Sequence, residues 1–376
     1  MTLEVRWLDR FDRVTDEQYD GLRSQDRNPF LHPAFLRNLE SQGCIREDLG
    51  WRAHHLAIFD GDKLTAFAPG YIKHNSHGEF VFDHAWAHAY AQYGLDYYPK
   101  QLFAVPYSPV TGPRWFASDS MSELLLLQAM HTVEGMSSAH VNFVSDEQSG
   151  TLRTHGWLER VDLQYHWSKR SHWKDFDSFL QDMDSKHRKN IKRERRLVRD
   201  TGIAFRVVSG AQLSVQDMDT AHSLYLTTFA DYGNYPALTV DFFRTLREEM
   251  ADHVVLIFAE INGQTVAGAV CLRSDTTLYG RYWGSRVAVP GLHFETCYYR
   301  GIDYCLRHGL NAFEPGAQGV HKIDRGFLPT LTRSAHRIQD SSFEVVIGDW
   351  CRQAKAATLR ELDVLNRSSP FRDLRP

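Results

Sequence analysis

Glu314, His321, Lys322 and Arg325 fall within one short stretch, FEPGAQGVHKIDRGF, residues 313–327. Glu314 stands at an expected strand end, where Pro315, Gly316 and Gly319 interrupt pairing and leave backbone N–H groups open to a ligand. Lys322 and Arg325, with Gln318 among the glycines, suit an anionic group such as a phosphate or a carboxylate. Glu314 or His321 can accept the proton of an attacking amine. The competing reading is an ordinary basic loop with Glu314 paired internally, since ion-pair networks also form away from active sites.

A second stretch, GRYWGSRVAVPGLHFETCYYRG at residues 280–301, offers further candidates. Arg281 and Trp283 alternate on a strand and share a face, as a cation and an aromatic that wall a substrate would. His293 and Glu295 open the next helix, where Glu295 and Tyr299 lie four apart on one side. Glu295 joins Glu314 and His321 as a candidate catalytic group, although a first-turn carboxylate also complements the helix dipole.

Nearer the N-terminus, KHNSHGEFVFDHAWAHAYAQYG supplies His84 and Trp86 for an aromatic, histidine-lined substrate cleft. The spacing of His84 and His88 raises a zinc hydrolase as an alternative, but no HExxH pattern accompanies it, and no metal is assigned. PYSPVTGPR adds Tyr107 as a hydrogen-bonding group, or else is a turn device. SKHRKNIKRERRLVR carries eight Lys or Arg in fifteen residues. Lys189 and Arg193 sit one helical turn apart, placed for the phosphates of an RNA, a phospholipid or a coenzyme. A solvated helix face explains the run equally well, and the absence of interleaved aromatics argues against a single-strand RNA platform. Tyr235, after the following helix, lines the same cleft or simply packs.

These groups need elements to hold them. HVVLIFAE and TVAGAVCLR flank Asn262-Gly263, a hairpin signal; TTLYGRYWGS continues as a third strand, a helix runs from Gly291 to Gly309, and LNAFE is a strand. A similar order precedes it: a hairpin at Asp60-Gly61, a strand GEFVFD, a strand QLFAVPYSP and a helix SELLLLQAMHTVEG. An internal duplication follows, with Phe82–Trp86 set against Tyr282–Ser285 and 105–111 against 313–318. The length of 376 residues exceeds what one core usually serves, and the division expected is 1–167 and 168–376, with the basic helix opening the second domain. The composition, 43% hydrophobic and 24% charged, is that of a globular chain. A net charge of −4 provides no global attraction for a polyanion. Five cysteines without a CxxC pair, and no apolar N-terminal run, point to a cytoplasmic protein with no membrane insertion.

Taken together and in order, KHNSHGEFVFDHAWAHAYAQYGLDYYPK, VPYSPVTGPR, HRKNIKRERR, GRYWGS, LHFETCYYRGIDYCL and FEPGAQGVHKIDRGF resemble the FemAB-like, GNAT-related N-acyltransferases of peptidoglycan biosynthesis or recognition. The resemblance spans about residues 28 to 340. It implies tandem GNAT-like, Fem-type α/β (α+β) domains, each a mixed sheet flanked by helices, which move an aminoacyl group from a charged tRNA to an amine. Phe313–Gly316, Lys322 and Gly326-Phe327 look like the strand, lysine and Gly-Phe pair that end the second unit in that group. The segment from Ser185 to Arg196 is similar to the one preceding it. A coiled-coil arm and the paired-glycine pyrophosphate motif are missing, and the loop from Arg286 to Gly291 is short. The expectation is thus a metal-independent N-acyltransferase with no tightly bound cofactor, working in a cleft between its domains. Its donor is aminoacyl-tRNA or an acyl thioester such as acyl-CoA, its acceptor a small-molecule or peptide amine, and tRNA a possible partner of the helix at 186–199. The alternative is a non-catalytic binding module for a cell-wall fragment or RNA.

Overall fold

The structure is a computed structural model that describes residues 2–23, 28–132, 134–232, 235–317 and 319–374. Gln318 therefore lies outside the described residues. The chain forms two compact units, Met1–Asp162 with Leu331–Leu359, and Leu163–Thr330 with Arg360–Pro376.

The first unit holds two sheets. One is an antiparallel set of Leu3–Leu8, His55–Asp60, Lys63–Ala68 and Phe116–Ala117. In the other, Trp51–Ala53, Gly70–Lys73, Lys100–Phe103 and Ser138–Val144 lie side by side, the last pair parallel. The far side of Ser138–Val144 is paired by Arg333 to Ile338 from the strand Leu328–Ile338. That pairing is why the segment from Leu331 belongs to the first unit, and why a single boundary at 167/168 does not describe the chain. Leu56, Phe103, Trp115, Leu126, Val141 and Leu152 are among the buried side chains of its main core.

In the second unit the sheet order is Ala204–Ser209, Val254–Ile261, Gln264–Arg273, Thr277–Ser285, Ala312–Glu314, then Trp167 and Ser168. All pairs are antiparallel except Thr277–Ser285 with Ala312–Glu314. The hairpin closes on Asn262 and Gly263 at φ 50° and 77°, the doubly positive geometry of a two-residue turn that follows the strand twist. Helices Phe176–Asp182 and Ser185–Asp200 start on Asp175 and Asp184, whose carboxylates accept from the Ser178 and His187 amides. Trp167, Phe179, Ile257, Tyr299, Ile302 and Phe313 belong to one buried cluster under this sheet. Gly284 lets the helix Val215–Tyr232 approach: a Cβ there would lie 1.8 Å from the Leu224 carbonyl oxygen.

The order hairpin, strand, helix, strand recurs in both units, but its third strand in the first unit is Gly70–Lys73. GEFVFD forms no strand. Gly78 and Phe80 adopt φ 78° and 60°, and Glu79 and Asp83 are drawn inward by Lys100. Phe82–Trp86 enters the helix His84–Gln92, whereas Tyr282–Ser285 lies within a strand, so the residue pairing of the two units fails there.

Candidate active site

Strand Thr277–Ser285 pairs with Ala312–Glu314 over only three positions, ending at Tyr279 opposite Glu314. Beyond that point Pro315 and Gly316 leave the sheet, while the partner strand runs on to Ser285. The pairing of these parallel neighbours stops there, a gap in the ladder beside which Pro315 still lies close to Gly280. On the other edge of the same strand, Val270 faces Tyr282 and Cys271 faces Gly280, so Arg281 is the extra residue of a β-bulge. The bulge re-aims Arg281, whose guanidinium lies 5.5 Å from the Tyr282 ring centre.

The loop after Glu314 folds back on itself. Lys322, 2% exposed, donates from Nζ to the Gly316 carbonyl oxygen at 2.7 Å. Burial lowers its pKa to about 8. Gly319 sits at φ 118°, and a Cβ on it would lie 2.5 Å from the His321 ring, so this turn needs glycine. His321 is exposed, its Nε2 3.1 Å from the Tyr298 hydroxyl. Partial burial, then the charges of Arg325 and Lys322, lower its pKa. It is therefore neutral near pH 7 and able to take a proton.

Around His321 runs an aromatic wall. Trp283 meets His293 at 5.4 Å, His293 meets Tyr298 at 5.3 Å, and Phe294 lies 5.6 Å from His321. Burial, then the charges of His321, Lys322 and Arg325, hold His293 down to about 4. His166, also neutral, is lowered to about 4 by burial and then by Lys322. Cys297 is pushed well above its ordinary value by burial, then by Cys271. Neutral groups thus surround one buried ammonium. Tyr298, His166 and Cys297 were not singled out from sequence. Tyr298 had a signal, standing five positions after His293 on a helix whose turn at Glu295–Tyr299 is a π turn.

Two sequence candidates have other partners. Arg325 is 7% exposed, donates to Glu194 Oε1 and to the His321 carbonyl oxygen, both at 2.7 Å, and covers the Phe294 ring at 3.6 Å. Glu194 also accepts from the Tyr299 hydroxyl. Arg325 thus braces the loop from behind rather than offering a free cation. Glu295, 2% exposed, is gripped by Arg195 through both carboxylate oxygens at 3.1 Å and by Arg300 at 2.8 Å. It faces the basic helix, not His321, and ties the two helices together. Lys189 and Arg193 lie exposed on that basic helix, and Tyr235 is exposed beyond the helix Val215–Tyr232.

In the first unit the sequence candidates separate. Trp86, 4% exposed, packs edge-on to His336 at 4.9 Å. Tyr107 donates to the Cys44 carbonyl oxygen at 2.9 Å and rests on Trp51 at 5.1 Å, which makes it a support for the turn. His84 is exposed, with its ring 6.4 Å from those of His77 and Phe82. His88 contacts Gln92 at 3.0 Å. No group of three His, Cys, Asp or Glu among the described residues is arranged to hold a metal ion. The buried chemistry of this unit lies elsewhere. Lys100 binds Glu79 at 2.9 Å, Ser76 at 3.1 Å and Asp83, and His140 Nδ1 meets His336 Nδ1 at 2.7 Å.

Comparison with known proteins fits this architecture. The profile of the FemAB-like family, described as peptidoglycan biosynthesis/recognition, matches residues 10–373. The crystal structure of FemX superposes with a TM-score of 0.52 at 11% identity, covering 91% of this chain and 100% of that one. A conserved protein of unknown function from Bacteroides thetaiotaomicron VPI-5482 gives 0.50 at 11%, covering 89% and 99%. A tandem GNAT protein from the clavulanic acid biosynthesis pathway gives 0.44 at 8%, covering 90% and 98%. No curated protein matches the sequence.

Proposed function

The chain belongs to the FemAB-like family, and from that premise we propose that it is a transferase moving an acyl or aminoacyl group onto an amine in peptidoglycan biosynthesis. The observation that carries the reading is the gap after Tyr279 and Glu314, with Gly316, His321 and Lys322 at its mouth. There the acceptor amine attacks the carbonyl carbon of the donor. A C–N bond forms, and the C–O bond of an aminoacyl ester or the C–S bond of a thioester breaks.

His321 takes the proton that the amine sheds, and Tyr298 orients its ring. The Lys322 ammonium and loop backbone N–H groups near Gly316 stabilise the developing oxyanion, worth about 10²–10³-fold in rate per donor. The carrier leaves as an alcohol or a thiol. Glu314, at the edge of the gap, is the second candidate base. Trp283 and His293 form an aromatic wall that holds the acyl group in attack geometry. No metal or tightly bound cofactor takes part.

The donor is a phosphate-bearing carrier, either aminoacyl-tRNA or an acyl thioester. The experiment is to incubate the protein with pools of charged tRNA and of acyl-CoA, in the presence of an amine acceptor, and to follow which pool loses its acyl group. Glu314→Gln, His321→Gln and Lys322→Met are tested singly after a folding check. Full activity in all three removes the assignment.

A further inference from the structure

The basic helix Ser185–Asp200 has two faces. His187, Ile191 and Val198 are buried on one. Lys189, Lys192, Arg193 and Arg196 recur at three- and four-residue intervals on another, where side chains project together. All four are exposed, and their side chains have no hydrogen bond or ion pair among the described residues. They line a cavity of about 680 Å³, joined by Arg199 and by the inner pair Arg195 and Arg300. Only Asp177 and Glu295 bring negative charge to it, and Glu295 is already consumed by that inner pair.

The floor of the cavity differs from its rim. Leu180, Val198 and Ile203 are apolar, and the two aromatic rings, Phe176 and Phe205, are capped by Arg195 at 4.2 Å and Arg300 at 4.3 Å. Each ring has one face taken by a guanidinium and Phe176 is only 8% exposed, so neither offers the open platform that single-stranded RNA uses. A nucleic-acid backbone would use the rim and leave the apolar hollow empty. A phospholipid uses both, placing its phosphate among the cations and its glycerol ester region on the floor. No helix of the described residues is long and apolar enough to cross a membrane, so this contact is peripheral.

We infer that this groove docks the headgroup of an anionic phospholipid and holds the second unit on a membrane surface. Each cation near an anionic surface strengthens binding by about fivefold, so three neutralised cations cost roughly 100-fold. The inference does not depend on the transferase reading, because binding is read without turnover.

The full chain is sedimented with vesicles of phosphatidylcholine alone and of phosphatidylcholine containing one third phosphatidylglycerol. It is expected to bind only the latter, more weakly as salt rises. Lys189→Gln/Arg193→Gln/Arg196→Gln changes exposed, unpaired side chains, keeps the melting temperature, and binds those vesicles roughly 100-fold more weakly. Absence of binding to the anionic vesicles, or equal binding by the triple variant, overturns the inference. So does binding of bulk tRNA or inorganic phosphate, lost in the variant, when the vesicles do not bind.

Discussion

Glu295→Gln separates a structural carboxylate from a catalytic one. The wild-type side chain is 2% exposed and contacts Arg195 at 3.1 Å twice and Arg300 at 2.8 Å. The neutral amide leaves two guanidinium groups without their shared counter-ion. Asp303, at 2.8 Å, still compensates Arg195, but Arg300 loses its one carboxylate partner among the described residues. Removing one member of a buried pair costs about 3–5 kcal/mol. Here the guanidinium side chains are 23% and 31% exposed, so solvent recovers part of the loss, and the expected cost is about 2–3 kcal/mol. For a unit of this size that lowers the melting temperature by roughly 4–12 °C. Thermal melts followed by circular dichroism measure it, and transfer rates well below the melt should stay within about threefold of wild type, the range left when no reacting group is touched. An unchanged melting temperature with a rate loss of about 100-fold or more would refute this reasoning and return Glu295 to the reaction.

Transfer activity should follow a bell in pH: it rises as His321 loses its proton, below the ordinary histidine value, and falls as the Lys322 ammonium is lost around pH 8. In Lys322→Met the alkaline limb should move or vanish, and a limb left at pH 8 assigns it to another group. The His140–His336 pair makes the first unit acid-sensitive. Burial, then the charge of Lys100, lowers His140 to about 3, and burial holds His336 well below its ordinary value. Their folded pKa values lie below the unfolded ones, so the unfolded chain binds more protons between about pH 6.5 and 3. Stability present above pH 6.5 is thus lost on acidification, at up to about 1.4 kcal/mol per pH unit for each histidine. Denaturant melts at pH 7 and pH 5 that coincide would count against this. Gly284→Ala should cost about 3 kcal/mol or more, because the added Cβ meets the Leu224 carbonyl oxygen at 1.8 Å; a melt within 2 °C of wild type contradicts that packing.

Local signals carried far in this chain where local physics decides. The Asn262-Gly263 hairpin, the capped helices at Asp175 and Asp184, and the strand break after Glu314 are all present where residue types demand them. GEFVFD illustrates the opposite case. Phe80 and Phe82 are exposed and Val81 is buried, so the alternation resembles a strand. What holds the segment instead is the long-range attraction of Lys100 for Glu79 and Asp83, which no window of sequence displays. The interleaved units are equally hidden, since Arg333 to Ile338 finds its partner strand at Ser138–Val144, far back in the chain. At the site, glycine spacing and polar density marked Gly316, His321 and Lys322. Composition could not show that Arg325 and Glu295 already have partners, because Glu194 and Arg195 that claim them lie 131 and 100 positions away.

The central claim is that His321 and Lys322, at the mouth of the gap beside Gly316, carry group transfer to an amine. The direct measurement is the single-turnover rate from labelled aminoacyl-tRNA and from labelled acyl-CoA, for wild type, His321→Gln and Lys322→Met. One donor should be consumed by wild type with stoichiometric amide formed, and each variant should lose about 10²-fold or more at unchanged melting temperature. Wild type that consumes neither donor, or variants that match its rate, would contradict the account.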